Sequence, residues 1–368
     1  LNHGRRATEM RRQKTGKPLA LTTVKYQIIT ESPNILNDMK RTIAIVAGGD
    51  SSEHDVSMRS AEGILSFMDK EKYDCYVVEI KQGNWNAYDT DGTTYPVSRA
   101  DFSFDTPDGR REFDFAYITI HGTPGENGIL QGYFDLIGLP YSTSDVLVEA
   151  LTFNKFALNN FLRAYPDLHI SDSVLVRQGE DLPDEDSVIA RLGLPCFVKP
   201  NAGGSSFGVT KVKEKEALHA AIEKAMMESS EVMIERMMSG TEITCGCYRR
   251  PNGEIVTFPI TEVVTTQEFF DYDAKYNGKV SEITPARIAP ETAERVADTT
   301  RSIYRRLGCY GIIRIDYILT GENGAEQINM LEINTTPGMT ATSFIPQQVR
   351  AAGLDIKDVL SEIIEGKF

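Results

Sequence analysis

Alternating apolar and polar positions near the C-terminus predict a β-hairpin that carries acidic side chains. The stretch Cys309–Thr340 contains two apolar runs joined by the turn-forming sequence Thr-Gly-Glu-Asn-Gly. Successive side chains of a strand point to opposite faces, so Arg314 and Asp316 share one face and Ile315 lies on the other. The first strand therefore presents a cation and an acid together.

The second strand of this hairpin repeats the alternation. Glu332 and Asn334 share one face, and Leu331 and Ile333 are expected to face the core. Two carboxylates and an amide oxygen on neighbouring strands form a set of hard oxygen ligands that suits Mg²⁺. A solvated surface with an ion pair from Arg314 to one acid explains the same pattern, so the hairpin alone leaves both interpretations open.

Two strand, turn and helix units predict an α/β region in the first part of the chain. A strand over Arg41–Ala47 runs into GGDSSEHDVS, and another that ends at Ile120 runs into HGTPGENG; a helix follows each turn. Ligands of open α/β sheets bind beyond the carboxyl ends of strands, so we expect Glu53 and His121 to line one crevice. A histidine that only caps the turn is the alternative for His121.

A glycine and serine loop follows a buried strand that ends on Lys199. Its sequence, PNAGGSSFGV, supplies N–H groups and hydroxyls that can wrap a phosphate, but no G-K-[ST] follows, so it is not a Walker A loop. A mobile hairpin tip is the alternative. Further on, Met237 and Met238 lie between two glutamates and could edge an apolar slot for a flat ring. About twenty irregular residues from Gln267 are typical of a lid. Helical spacing predicts helices over residues 153–165 and 290–307.

Composition narrows the classes of function. The net charge of −14 argues against a nucleic-acid or anionic-membrane partner, and neither is expected. Five cysteines without a C-x-x-C pair indicate neither a disulfide framework nor a zinc site, and no signal-peptide pattern or long apolar run occurs. We therefore expect a cytoplasmic protein. Residues 1–38 are basic and are expected to be an upstream or expression-derived extension, with a regulatory arm as the alternative.

Taken together and in order, eight motifs resemble the D-alanine:D-alanine ligases of the ATP-grasp superfamily. They are GGDSSEHDVS, HGTPGENG, FNK, FVKPNAGGSSFGV, IERMMSGTE, FDYDAKY, RID and LEINTTPGMTATS, and the resemblance runs from Met39 to the C-terminus. It implies a mixed α/β and α+β protein with an ATP-grasp fold behind an amino-terminal open α/β domain. The implied domains are 39–144 for substrate, 145–236 as the central lid domain, and 237–368 with the metal site.

The resemblance also implies an activity. Members of the family phosphorylate one D-alanine with ATP and let the amine of a second attack the acylphosphate, which gives the dipeptide for peptidoglycan precursors. Two Mg²⁺ or Mn²⁺ ions and a homodimer are implied as well. A D-alanine:D-lactate ligase and a non-catalytic ATP-binding module are the alternatives. Tyr276 in the lid favours the dipeptide, and the retention of Arg314 with all three metal-ligand positions favours catalysis.

Matching the motifs residue by residue assigns the site. The expected ATP-binding residues are Lys155, Lys199, Ser206, Glu235, Met237, Met238, Glu242 and Lys275. The expected metal ligands are Asp316, Glu332 and Asn334. The expected catalytic residues are Glu53, which receives the ammonium of the first D-alanine, Ser205, Tyr276, and the oxyanion-stabilising pair Arg314 and Gly338. The expected substrate contacts are Val56, His121, Ser343 and Phe344. Phe270 stands where many relatives have a lid tyrosine.

Overall fold

The computed structural model describes residues 40–89, 91–204, 207–265, 280–321 and 324–368. In it, the predicted hairpin lies in the interior of the largest sheet. The strands in these ranges are β1 Arg41–Gly48, β2 Tyr73–Lys81, β3 Asn84–Tyr88, β4 Thr94–Pro96, β5 Phe104–Thr106, β6 Gly109–Arg111, β7 Phe115–Ile118, β8 His169–Ile170, β9 Ser173–Arg177, β10 Cys196–Pro200, β11 Thr210–Val212, β12 Glu231–Arg236, β13 Thr241–Arg249, β14 Ile255–Thr257, β15 Thr261–Thr265, β16 Val280–Ile283, β17 Ile313–Thr320 and β18 Gln327–Asn334. The helices are α1 His54–Phe67, α2 Ile129–Ile137, α3 Val146–Phe153, α4 Lys155–Arg163, α5 Glu185–Leu192, α6 Leu218–Met226, α7 Pro290–Leu307, α8 Phe344–Ala351 and α9 Ile356–Glu365.

The first part of the chain builds a five-stranded sheet in the order β4-β3-β2-β1-β7. β1 runs parallel to both β2 and β7, as the predicted α/β region requires. After β1 the chain turns at Gly48 and Gly49, which have φ angles of 96° and 94°. A Cβ on Gly48 would lie 2.6 Å from the carbonyl oxygen of Ile80, so the turn needs glycine there. The turn brings Glu53 to the carboxyl edge of the sheet, directly before α1.

A second, four-stranded sheet is antiparallel, in the order β11-β10-β12-β9. Its buried face packs against α5 and α6 through side chains such as Val188, Ile222 and Ile234. Because β12 alternates, Glu235 points away from this core, toward Asn159 of α4. The sheet thus presents a polar face to the rest of the chain.

The largest sheet runs β16-β15-β13-β17-β18-β8, with β14 paired to β13. Helix α7 packs across it and contributes Val296 and Ile303 to the same core as Ile315 of β17. The helix begins with Pro290 at its first turn and ends at Gly308, which has a φ of 76°. The helix predicted over 290–307 is confirmed. The prediction that Ile315 lies on the face opposite Arg314 and Asp316 is also confirmed, and that face is the core.

The prediction that Leu331 faces the core is wrong. The register of β17 against β18 shifts after Asp316, which lies opposite Glu332. Core side chains of β18 include Met330 before the shift and Ile333 after it, so the alternation skips one residue. Leu331 is that residue, and it lines a cavity between the sheets instead of the core.

The helix predicted over 153–165 is α4, which is shorter than expected and runs from Lys155 to Arg163. Phe153 instead ends α3; Asn154, between the two helices, has extended backbone (φ −89°, ψ 95°), and its side chain accepts a hydrogen bond from the N–H of Ala157. Asparagine is a favoured residue at a helix N-terminus because its side chain satisfies such a donor. The short strands β3 to β6 and helix α3 were not predicted.

Residues Lys40–Phe368 form one structural unit. The domain boundaries 39–144, 145–236 and 237–368 stay predictions, and the expected extension 1–38 lies outside the described residues. Strand β8 lies in the second of these ranges but pairs with β18 of the third. Among the described residues, every helix is too short or too polar to cross a membrane.

Candidate active site

A cavity of about 610 Å³ lies between the four-stranded sheet and the largest sheet. Its walls include Phe197 of β10 on one side and Val263 and Ile318 of β15 and β17 on the other. A volume of this size accommodates a nucleotide-sized ligand. Leu331, displaced from the core by the register shift, adds to its apolar wall.

The cavity collects the predicted ATP-binding residues that the structure describes. They are Lys155, Lys199, Glu235, Met237, Met238 and Glu242. The predicted metal-site residues Glu332 and Asn334 line it as well. The cavity therefore has an apolar wall suited to a flat ring and cations suited to phosphate.

Both lysines have polar partners, one in the glycine loop and one on β12. The Lys155 ammonium donates to the carbonyl oxygen of Gly203 at 2.6 Å. Lys199 pairs with the Glu235 carboxylate at 2.7 Å, and only 10% of the lysine side chain and 3% of the glutamate side chain are exposed. A buried pair of this kind holds both groups in fixed positions.

The predicted metal ligands meet across β17 and β18. Asp316 lies opposite Glu332, and Arg314 lies opposite Asn334. Asp316 accepts hydrogen bonds from Arg314 Nε at 2.9 Å, Arg314 Nη2 at 2.8 Å and Asn334 Nδ2 at 3.1 Å. The ion pair from Arg314 to one of the acids, which was the alternative explanation of the hairpin pattern, is thus present within the predicted metal site.

The donor set at this position fits a hard divalent cation. The described part of the chain contains no cluster of three or more His, Cys, Asp or Glu side chains that could hold a metal ion by themselves. Asp316, Glu332 and Asn334 offer two carboxylates and one amide, which suits an ion that keeps water and phosphate oxygens as its other ligands. Burial acts to lower the pKa of Arg314, but Asp316, helped by Glu332 and Glu242, raises it overall.

The two glycine turns of the first sheet meet, as predicted. Ser51 Oγ donates to the carbonyl oxygen of His121 at 2.9 Å. The Glu53 carboxylate lies against the glycine loop, since a Cβ on Gly204 would be 2.5 Å from Glu53 Oε2. Val56 is half-buried in the first turn of α1. One crevice therefore joins these turns to the loop that borders the cavity.

His121 connects this crevice to the segment after β18. Its Nε2 lies 3.5 Å from Ser60 Oγ, which accepts the backbone N–H of Met339 at 3.3 Å. Burial lowers the pKa of the His121 imidazole; Glu53 opposes this shift and Arg314 adds to it. The imidazole is therefore favoured in its neutral form.

The remaining predicted residues lie where this segment enters α8. A Cβ on Gly338 would be 3.0 Å from Ser343 Oγ, so the two residues are in contact. Ser343 is the residue before α8, and its Oγ accepts the N–H of Thr340 at 3.1 Å. The guanidinium of Arg314 lies 5.2 Å from the centre of the Phe344 ring.

Four predicted site residues lie outside the described residues: Ser205, Ser206, Lys275 and Tyr276. The same holds for Phe270, where a lid hydroxyl was expected to be missing. Their assignments stay predictions.

Two carboxyl groups near the end of β18 were missed, one half-buried and one fully buried. Glu126, inside HGTPGENG, accepts the N–H of Gly122 at 2.7 Å, and burial together with Glu53 raises its pKa to about 7. Glu149 of α3 accepts Thr335 Oγ1 at 2.5 Å, and burial raises its pKa well above its ordinary value. A single acid in the apolar run VLVEALTF was the available signal for Glu149.

Glu126 makes a testable contribution to pH dependence. Its pKa rises from 4.5 to about 7 on folding, so between these values the folded chain holds a proton that the unfolded chain has released. This contribution to the unfolding free energy falls as pH rises through that window. In ligand-free protein, the melting temperature of Glu126→Gln relative to wild type should therefore rise between pH 5 and pH 8, measured by thermal melts in matched buffers.

The exposed residue Glu294 supplies the control for that experiment. Glu294→Gln should give a difference from wild type that does not change with pH. A Glu126→Gln curve that runs parallel to the wild-type curve would contradict the assignment.

This protein is an ATP-grasp ligase. Its nucleotide-sized cleft lies between an antiparallel four-stranded sheet and a larger sheet, with two lysines at a glycine loop and acids on facing strands. The family model described as "D-ala D-ala ligase N-terminus" matches residues 42–144, and the one described as "D-ala D-ala ligase C-terminus" matches residues 166–365. The chain belongs to the D-alanine–D-alanine ligase family.

Individual relatives and solved structures support membership of this family. A curated D-alanine–D-alanine ligase of Phocaeicola vulgatus is 63% identical over 330 residues, which cover 90% of this chain and 100% of the relative. The solved structure of the VanG D-Ala:D-Ser ligase from Enterococcus faecalis superposes with a TM-score of 0.77 at 30% identity, covering 90% of this chain and 100% of that one. The Bacillus anthracis D-alanine–D-alanine ligase complexed with ATP superposes with a TM-score of 0.69 at 29% identity, covering 89% and 97%.

Proposed function

We propose that this protein uses ATP to join two D-alanine molecules into D-alanyl-D-alanine. The observation that carries the proposal is that the cavity holding Lys155 and Lys199 adjoins, through the hairpin acids, a second group formed by Glu53, His121 and Arg314. Family membership supports the same substrates.

The first step we propose is phosphoryl transfer. A carboxylate oxygen of the first D-alanine attacks the γ-phosphorus of ATP, the bond to the bridging oxygen breaks, and ADP leaves. Lys155 and Lys199 would hold phosphate oxygens as point charges, and Glu53 would hold the ammonium of this D-alanine. Met237 and Met238 would pack on adenine, with Glu235 and Glu242 beside the base and the ribose. Ser205, Ser206, Lys275 and Tyr276 are proposed to close over the reacting groups.

Asp316, Glu332 and Asn334 are the residues we propose to hold two Mg²⁺ or Mn²⁺ ions. Bound there, such ions neutralise charge on the phosphate oxygens. The ion pair between Arg314 and Asp316 keeps this carboxylate oriented before any ligand arrives.

The second step we propose is amide formation. The amine nitrogen of the second D-alanine, having given up a proton from its ammonium form, attacks the carbonyl carbon; phosphate leaves, and the nitrogen loses a further proton. Arg314 and the N–H of Gly338 would stabilise the oxyanion. Ser343 would bind the carboxylate of this D-alanine, with His121, Phe344 and Val56 shaping the substrate sites. A closed cleft protects the acylphosphate from water.

Phosphate release measured with ATP and Mg²⁺ tests the proposal, with products identified by mass. The arms are D-alanine alone, L-alanine alone, and D-alanine with D-serine or with D-lactate. We expect release with D-alanine alone and the D-alanyl-D-alanine dipeptide as the main product. The variant Glu332→Gln should bind ADP and lose most of the phosphate release. Nucleotide binding without release in any arm would contradict the proposal and favour a binding module.

We infer that the protein is a homodimer that pairs through α2 and α3. Ile129 and Leu136, seven residues apart on one face of α2, are 61% and 87% exposed, and Leu147 of α3 is 72% exposed. Exposed apolar groups gathered at adjoining helices are typical of an interface.

The dimer is testable by size-exclusion chromatography with light scattering. The pair Leu136→Glu and Leu147→Glu should shift the protein to the mass of one chain. Met227 is 78% exposed on the segment after α6, so Met227→Glu is the matched control and should leave the mass unchanged. A dimer that survives the double substitution would place the interface elsewhere. The cytoplasmic location and the absence of nucleic-acid and membrane partners stay part of this proposal.

A further inference from the structure

A buried glutamine joins helix α8 to strand β13. Gln348 is fully buried, and its Oε1 accepts the N–H of Gly246 at 2.9 Å. Its Nε2 donates to the carbonyl oxygen of Thr244 and to Thr261 Oγ1, both at 3.0 Å. One side chain thus satisfies backbone groups of β13 and a hydroxyl of β15. A polar group buried at this depth is stable only when its bonds are made.

The helix sits unusually close to this strand. A Cβ on Gly246 would lie 2.5 Å from Ile345 Cδ1 and 2.6 Å from Gln348 Oε1. Glycine at this position lets the first two turns of α8 rest on β13. The position of the helix start, where Ser343 and Phe344 lie, is therefore set by contacts to β13.

Thr244 extends the connection to the hairpin. It is 2% exposed, and its Oγ1 donates to Asp316 Oδ1 at 2.5 Å. Arg314 and Asn334, which also donate to Asp316, lie on β17 and β18, whereas Thr244 approaches from β13. A carboxylate held from three strands has a fixed orientation, because rotation would break bonds to all of them.

We propose that Gln348 and Thr244 are positioning residues that hold the acceptor end of α8 and the metal ligand Asp316 in one fixed arrangement. The inference rests on the proposed function for what the two places bind. Neither residue touches substrate: Thr244 acts through Asp316, and Gln348 acts through α8 and through the carbonyl of Thr244. The two substitutions should therefore change different constants.

The test for Thr244 is Mn²⁺ binding to the ADP complex, followed by electron paramagnetic resonance. Thr244→Val should weaken Mn²⁺ binding about 10-fold, because partners of metal ligands typically contribute 10-fold to 100-fold. Thr244→Ser keeps the hydroxyl and should bind Mn²⁺ within about 2-fold of wild type. Thr300 is buried and bonds Tyr317 at 2.8 Å on the other face of β17, so Thr300→Val is the matched control and should leave Mn²⁺ binding unchanged. Equal Mn²⁺ affinities for wild type and Thr244→Val would overturn the role of Thr244.

The test for Gln348 is steady-state kinetics. Gln348→Met keeps the volume and should raise the KM for the second D-alanine about 10-fold, while the KM for ATP stays within about 2-fold. Equal effects on both KM values, or on neither, would overturn the role of Gln348. Mn²⁺ binding can be measured without turnover. If the wild-type protein binds Mn²⁺ but makes no dipeptide, the proposed function is contradicted, while the comparison of Mn²⁺ affinities still tests the role of Thr244. A wild type that binds no Mn²⁺ would overturn both.

Discussion

Replacing Arg314 with methionine is expected to lower kcat for dipeptide formation by about 10²-fold to 10³-fold, which is typical of losing one oxyanion donor. The KM for ATP should change little, because Arg314 does not line the nucleotide cavity. The substitution also leaves Asp316, 7% exposed, without its bidentate partner. The unfolding free energy of metal-free protein should therefore fall by about 3–5 kcal/mol. Rapid-quench kinetics and urea unfolding measure the two effects.

Two further variants separate charge from geometry. Arg314→Lys keeps the charge but loses the planar fork, so its kcat should fall between those of wild type and Arg314→Met. Arg306 makes a similar bidentate pair with Asp167, at 2.9 Å for each contact, but on the surface. Arg306→Met should cost no more than about 1 kcal/mol and leave kcat unchanged. A kcat of Arg314→Met within threefold of wild type would remove Arg314 from the proposed chemistry.

Replacing Lys199 with methionine is expected to weaken ATP binding by about 10-fold to 100-fold, since hydrogen bonds to charged groups contribute about 1.5–3 kcal/mol. It should also destabilise the protein by about 3–5 kcal/mol, because Glu235 remains buried without its cation. Isothermal titration of a non-hydrolysable ATP analogue and urea unfolding report the two losses.

The double variant Lys199→Met with Glu235→Gln distinguishes these causes. It removes both buried charges, so much of the stability should return while ATP binding stays weak. Lys215 pairs with Asp186 at 2.5 Å on the surface, and Lys215→Met should change neither property. If the double variant regained ATP affinity along with stability, Lys199 would be a structural cation and not a phosphate ligand.

How much the sequence could predict differs between local and long-range features. The helix over 290–307 was predicted at its full length because a proline at its start, an amphipathic period and a glycine after its end are all local signals. The hairpin faces followed from alternation, which placed Arg314 with Asp316. Local rules were less accurate at the start of α4, which was expected at Phe153: Asn154 has extended backbone and caps the helix that begins at Lys155.

The sequence by itself determined most of the longer elements, the motifs and the family, since each depends on neighbouring residues or on their order. Only the tertiary structure decided which residues share a site. Leu331 turned to the nucleotide cavity because a register shift depends on the pairing of two strands. Glu149 meets Thr335 across 186 residues and Gln348 meets Thr244 across 104, and periodicity carries no information about such partners. Burial, which sets the protonation of Glu126 and the pairing of Lys199 with Glu235, likewise exists only once the sheets have packed.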